Sequence, residues 1–581
     1  MPSVPRRALP GSMKSRVRAA AAVAVVATLT AAATPAGAQP SGPGVAPLPP
    51  VANKLPRATP ESQGVSSPAL LAFIEALDAG VDTMNSVIVV RHGQVIAEGW
   101  WAPFAADTPH QMFSLTKSFT STAVGLAQAE GKLSIDDPVL KYFPDVTPAA
   151  GNDFQKGMRI RDLLAMSTGH RTEPSFQGST TWTKTFFEHP VLHKPGTIFL
   201  YNTPASYILS AIVQKAMRIR DLLAMSSGHR TEPSFAGSSS WTKTYFDHPV
   251  LHKPGTIFLY NTPNSYILSA IVQKATGQKE ADYLQSRVFT PLGIGTPRWE
   301  TSPEGISIGG YGLWLRTEDI ARFGLLYLQK GQWQGKQLVP ADWVSAATTR
   351  QTSNGSSPTS DWDQGYGYQF WRSRNKSFRG DGAHGQFCMV LPEQDTVIAM
   401  TSGTRNMQGV MNLVWDKLLP ALGAAKLPEN LAAKQALADR LGKLVVKPIS
   451  GTLRPASGAV IFDKPYKVPA NDQGVEAIAI VRGDGGDSTL KLTVKGTERA
   501  IGLKQGEWQT GRMAWGNLVE QPAAASGAWT TVDTYVTRIV FYETPFILNL
   551  TLKFNGDTVQ IDREMNVGGG PKPAAVTGKI E

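Results

Sequence analysis

The feature that most constrains this chain is a unit written twice. Residues 158–216 and 217–275 are consecutive copies of 59 residues that differ only at Thr168/Ser227, Gln177/Ala236, Thr180/Ser239, Thr181/Ser240, Phe186/Tyr245, Glu188/Asp247 and Ala205/Asn264. Segments this alike prefer the same fold, and one domain offers one slot for it. Solenoid arrays need about three or more units to bury a continuous core, so two copies argue for a tandem duplication inside a globular domain. If one copy suffices, the chain leaves the native path in the first copy and rejoins it at the same offset in the second. Exposed loops tolerate such insertions best. The Gly-, Ser- and Thr-rich part at 175–184, with its twin at 234–243, is therefore the expected crossover, and the second copy supplies the later part of the unit.

At 581 residues, two or three domains are expected. With 42% hydrophobic and 18% charged residues the chain can bury a sizeable core. Residues 1–38 hold Arg6, Arg7, Lys14, Arg16 and Arg18 and no acid, so the rest of the chain carries a net charge of +6 out of the total +11. No basic run with interleaved aromatics stands out, which argues against a nucleic-acid partner. The basic start at 14–18, the alanine-rich apolar run at 19–33 and Ala36-Gly37-Ala38 have the layout of an export signal cleaved before Gln39. An exported protein, periplasmic or extracellular, with no membrane span after cleavage is the expectation. Cys388 is the sole cysteine and sits in an apolar run, so a buried structural thiol is expected and a disulfide framework is excluded.

The expected organisation is a signal at 1–38, a Pro- and Gly-rich linker at 39–60, a catalytic domain at 61–425 holding the duplication, a helical linker at 426–447 and a small β domain at 448–581. In the catalytic domain, helical spacing covers 67–79, and a hairpin turning at His92-Gly93 covers 86–100. A helix follows from Ser114 to Gly131, and another spans 317–329. Strands are expected at 366–371, 386–391 and 396–401, before a helix at 411–418. Alternating segments at 476–481, 489–494, 539–541 and 546–554 predict a C-terminal barrel or sandwich.

Ser114-Leu115-Thr116-Lys117 puts a serine and a lysine on one face of a helix start, with the amine in reach of the hydroxyl. That is a nucleophile beside its base. The pattern His189-x-x-x-His193, repeated at His248 and His252, contains proline and lacks the glutamate of a metalloprotease helix, so no metal is expected.

Taken in order, the hairpin, Ser114-x-x-Lys117, the segment from Ile160 to His170, Lys194-Pro195-Gly196 running to Tyr201-Asn202, and a Gly-rich strand resemble the serine β-lactamase and penicillin-recognising superfamily. Within it the chain is most similar to class C β-lactamases, family VIII carboxylesterases and 6-aminohexanoate-dimer hydrolases, over roughly residues 60–420. The resemblance implies an α/β fold in which an antiparallel sheet flanked by helices packs on an all-helical subdomain, with the site in the cleft between them. It also implies acyl-enzyme chemistry without a cofactor, on small-molecule ester, amide or lactam substrates. The family's Tyr-x-Asn maps onto Tyr260-Asn261-Thr262 and its twin Tyr201-Asn202-Thr203, the crossover argument favouring Tyr260. The asparagine, Asn261 or Asn202, is the substrate-binding candidate the resemblance implies, although it stands one place early in both copies. The family's third motif, Lys-Thr-Gly or His-x-Gly, is replaced by Arg379-Gly380-Asp381-Gly382-Ala383-His384-Gly385-Gln386. Here His384 and Gly385 are the expected strand edge, and Arg379 is a carboxylate-binding candidate. The oxyanion donors are expected at Ser114 N–H and near Gly385–Gln386. Losing the motif's lysine leans toward an esterase. The alternatives are a true β-lactamase or D-amino-acid peptidase, and a penicillin-binding or inactive receptor-like protein without turnover.

Overall fold

The computed structural model describes residues 54–137, 142 and 217–580, apart from 452–454, 456–461, 472, 484–486, 516–517 and 569–571. The expected export signal, most of the arm after it and the whole first copy, with Tyr201 and Asn202, lie outside the described residues.

Helix α1 (Ser67–Gly80) starts where Ser66 Oγ accepts the Ala69 N–H and Pro68 fills the first turn. Its spacing buries Leu70, Phe73, Ile74 and Leu77, each contributing about 1.5–3 kcal/mol. They cover one face of a six-stranded sheet formed by β1 (Met84–Arg91), β2 (Gln94–Trp100), β3 (Trp371–Arg372), β4 (Phe378–Gly382), β5 (Gln386–Leu391) and β6 (Thr396–Ser402). All neighbours are antiparallel, in the order β2-β1-β6-β5-β4-β3.

Alternation along the strands divides the interior in two. Val87 and Val89 of β1, Phe387, Met389 and Leu391 of β5, and Ile398 and Met400 of β6 face α1, α7 (Met407–Leu413) and α8 (Leu431–Leu441). Ile88, Val90, Cys388, Val390, Val397 and Ala399 face α2 (Thr116–Ala129) and α6 (Thr317–Leu328). Cys388 is buried as expected, and burial pushes its thiol up to about 12. The expected strand at 366–371 reduces to the two residues of β3 at the sheet edge. The end of the expected linker does more than connect: Ala58 N–H donates to Val95 O and Val95 N–H donates to Pro56 O, laying the chain along β2.

On the α2 side lie α3 (Ile219–Leu223), α4 (Trp241–Asp247) and α5 (Thr262–Thr276), all from the second copy. The expected crossover at 234–243 is corrected here. The second copy is in place from its first residue: Met217, Ile219, Leu222 and Leu223 are buried. The Ile219 and Arg220 N–H groups donate to Asp137 O and Ile135 O. An apolar entry helix holds the copy boundary better than a polar loop would.

Ten further strands, β7 (Tyr466–Lys467), β8 (Val475–Arg482), β9 (Ser488–Val494), β10 (Thr497–Leu503), β11 (Gln509–Trp515), β12 (Leu518–Trp529), β13 (Thr534–Val540), β14 (Ile547–Asn555), β15 (Thr558–Met565) and β16 (Val576–Lys579), form one antiparallel sheet. It curls into a nearly closed barrel whose edge strands β10 and β11 approach so closely that a Cβ at Gly511 would lie 3.5 Å from Ile501. Near-closure brings the two edges together and shields them. The β13–β14 connection meets the catalytic domain, where Glu543 O accepts the Gln111 N–H at 2.9 Å and the Glu543 carboxylate faces Arg298 at 3.1 Å. Arg405 answers from the other side, donating to Asn566 O and Met565 O. Among the described residues no helix is long and apolar enough to cross a membrane.

The second copy occupies the helical slot from Met217 onward, and its helices carry the contacts to α2. A chain with residues 158–216 deleted is expected to unfold cooperatively within about 3 °C of the full chain, a change of roughly 1 kcal/mol or less. Differential scanning calorimetry checks this; loss of cooperativity in the shortened chain would contradict it.

Candidate active site

The segment before α2 is clamped on both sides. Met112 N–H donates to Leu313 O, Leu313 N–H donates to Thr116 Oγ1, and His110–Gln111 pairs with Trp314–Leu315. A 3-10 turn, Phe113–Leu115, then carries Ser114 into α2. Phe113 sits at φ +46, a left-handed conformation that costs a bulky residue about 1–3 kcal/mol and recurs at functional sites.

One turn on, Lys117 is 1% exposed. Its Nζ lies 3.0 Å from Ser114 Oγ, 2.7 Å from Gly310 O and 3.4 Å from Thr262 Oγ1. Burial is the largest influence on this amine and lowers its pKa to about 7, against the opposing pull of Glu232 and Asp381. A neutral amine has two N–H groups and one lone pair. The three neighbours match that inventory: Gly310 O and Thr262 Oγ1 accept, and the lone pair faces the Ser114 hydroxyl. Gly310 has to be glycine for the approach, since a Cβ there would lie 2.6 Å from Thr262 Cγ2.

Tyr260 closes the other side. Its ring centroid is 5.1 Å from Lys117 Nζ, and the Ser114 side chain is among the groups that act on its phenol. Burial, reinforced by Asp381, pushes the phenol well above its ordinary range, so it is a neutral donor at neutral pH. Trp371 stacks behind it at 5.1 Å between centroids.

The structure separates the residues after Tyr260. Asn261 is fully buried as the residue preceding α5, with its amide nitrogen 3.4 Å from His229 Nδ1. Thr262 faces the amine instead, and its N–H is capped by Glu232 Oε1 at 2.7 Å. The expectation that Asn261 binds substrate is thus corrected: threonine, in the third place of the motif, holds the asparagine's position.

Arg379 is a second correction. It is fully buried, with Nε on Asp381 Oδ2 at 2.8 Å, Nη1 on Asp361 O at 2.9 Å and the guanidinium over Trp362 and Trp371. Its charge is neutralised inside β4 and the neighbouring loop and is not presented to a substrate carboxylate. Gly385 is a third. The Gly385 N–H donates to Gly382 O at 3.2 Å, and a Cβ at Gly385 would lie 2.1 Å from Ser402 Oγ. Buried Gln386 spends both amide hydrogens on Ala383 O and Ser402 O at 2.9 Å each. Both residues brace the β4–β5 turn. His384, in contrast, reaches the site's edge, where its ring meets Phe113 at 5.5 Å. Sequence reasoning missed Gly310 O, Thr262, Glu232 and Asp381. Only the glycine pair Gly309-Gly310 signalled a close approach.

The family model described as Beta-lactamase matches residues 73–218 and 213–412, the break falling at the junction of the two copies. The chain belongs to the Beta-lactamase family. Its relatives include the 6-aminohexanoate-dimer hydrolase of Paenarthrobacter ureafaciens, 26% identical over 61% of this chain and 83% of that protein. Penicillin-binding protein 4 of Amycolatopsis lactamdurans is 28% identical over 36% of this chain and 62% of its own length. Among solved structures, the octameric penicillin-binding protein homologue of Pyrococcus abyssi aligns with 88% of this chain and 99% of its own at 14% identity and a TM-score of 0.37. As a Beta-lactamase family member the chain has the scaffold of a serine hydrolase.

Behind the site, two of the seven differences between the copies meet. Tyr245 donates its hydroxyl to Asn264 Oδ1 at 2.8 Å, joining α4 to the first turn of α5 that carries Thr262. The first copy has Phe186 and Ala205 at these places, so both partners are polar in one copy and both apolar in the other. Tyr245→Phe or Asn264→Ala alone leaves a buried group unmatched and is expected to cost about 1–3 kcal/mol. The double variant should be milder than the sum by about 0.5–3 kcal/mol. Urea unfolding of the four proteins measures the coupling; strict additivity would refute it.

Proposed function

We propose that this protein is an exported serine hydrolase that cleaves ester or amide bonds through an acyl-enzyme on Ser114, with esters preferred. The observation that carries the reading is the buried Lys117 amine, 3.0 Å from Ser114 Oγ and held near neutrality of charge at pH 7 by desolvation. Neutral Lys117 takes the Ser114 proton as the oxygen attacks the carbonyl. The resulting ammonium is stabilised by Gly310 O, Thr262 Oγ1 and the Glu232 and Asp381 charges. Neutral Tyr260 donates a hydrogen bond at the reacting oxygen and relays the proton to the leaving group. Water then releases the acid by the reverse path.

For the oxyanion, Ser114 N–H is one donor. Gly382 runs so close to this turn that a Cβ on it would lie 2.0 Å from Met112 O. The next amide, on Ala383, is accordingly the second donor in place of Gly385. Two features support an ester preference. No free lysine takes the third motif's place, and the cation there, Arg379, is bound to Asp381. Export rests on the pattern of residues 14–38.

Purified protein is expected to hydrolyse p-nitrophenyl butyrate, and Ser114→Ala to abolish the reaction. Lys117→Ala should lose about 10²–10⁴-fold in kcat/KM. A fluorescent penicillin that stays on Ser114 without ester turnover would point instead to a penicillin-binding protein. Because the free base is the active form, kcat/KM should rise about tenfold per pH unit below about 7 and level off above it. A profile flat from pH 5 to 9 would remove Lys117 as the base.

A further inference from the structure

Three half-buried aromatic rings meet beside the nucleophile turn. Phe113, immediately before Ser114, meets His384 at 5.5 Å and Phe546 at 6.2 Å between centroids, and His384 meets Phe546 at 5.9 Å, all edge to face. Such pairs favour defined geometry over loose apolar contact. Two of the rings are carried on left-handed backbone, at φ +46 for Phe113 and +69 for His384. Strain of that kind persists only where surrounding structure holds it.

The third ring comes from another domain. Phe546 ends the β13–β14 connection of the barrel, a loop fixed at several points. Glu543 O accepts the Gln111 N–H, and the Glu543 carboxylate pairs with Arg298. Asn566 donates to Pro545 O at 2.9 Å and accepts the Ile547 N–H at 2.7 Å. A loop anchored in this way loses little freedom when a ligand packs on it. The wall is uncharged at neutral pH, because burial, and then Arg405, holds the His384 pKa down to about 4.

Resting on the Ser114 hydrolase reading, we infer that the C-terminal barrel is a specificity element of the active site. Phe546 completes, with Phe113 and His384, an apolar wall for an uncharged group adjoining the scissile carbonyl. The partner chemistry is an ester or amide with an aliphatic or aromatic substituent on its acyl or alcohol side. A substituent bearing a charge gains nothing from these three rings.

The test uses the full chain with Phe546→Ala and Phe546→Leu. It measures kcat/KM for p-nitrophenyl acetate against butyrate, and for methyl against butyl esters of one acid, alongside fluorophosphonate labelling of Ser114. A methylene in an apolar pocket is worth roughly 10–200-fold in discrimination. Phe546→Ala should therefore lower the preference for the longer group about tenfold in one of the two series, chiefly through KM. Phe546→Leu, which keeps apolar bulk, should restore most of it. Unchanged selectivity in both series, or equal losses on short and long esters, would overturn the inference while Ser114 still labels. If the wild type neither labels nor hydrolyses any ester, the hydrolase reading fails and takes this inference with it.

Discussion

An amine shut away from water beside a hydroxyl is the interaction on which this structure turns. Lys117 is buried, yet its hydrogen-bonding capacity is met in the free-base form by two oxygens and one hydroxyl. Keeping that arrangement needs several distant parts of the chain at once. Gly310 comes from the loop before α6, Thr262 from the first turn of α5, and the clamp on residues 110–116 from residues 313–315. A displacement of any of them would leave a polar group unpaired in a low-dielectric site, at about 1–3 kcal/mol. The helical side and the sheet side are thus joined through the chemistry they enclose.

Much of the fold was legible because periodicity and burial agree. The amphipathic stripe of α1, the hairpin through His92-Gly93 and the alternating strands of the barrel each follow from the spacing of apolar residues. The strand at 366–371 was not, because its aromatics (Tyr366, Tyr368, Phe370) pack into separate clusters as the chain turns, leaving only Trp371–Arg372 on the sheet.

The site was legible in part, for a different reason. A serine three residues before a lysine leaves a mark in sequence, and so does a tyrosine after Lys-Pro-Gly. A backbone carbonyl such as Gly310 O leaves none. Charged residues misled where their partner was two residues away: Arg379 pairs with Asp381 along the same strand face, so a free cation on paper is a neutral pair in the fold. Asn261 misled because position in a motif does not say which way a side chain turns at a helix start. His229 draws Asn261 inward, and Thr262 takes the outward place.

The Tyr245–Asn264 hydrogen bond has a genetic consequence. Two stretches of nearly identical coding sequence side by side invite unequal recombination, which excises one unit and fuses the start of the first copy to the end of the second. A junction before position 186 yields a tyrosine with an asparagine, and one after position 205 yields a phenylalanine with an alanine. A junction between them joins Phe186 to Asn264 and buries an amide without its hydroxyl partner. Single-unit descendants of this gene should therefore carry the two positions as a matched set, and the 18 codons between them should be poor in surviving crossovers.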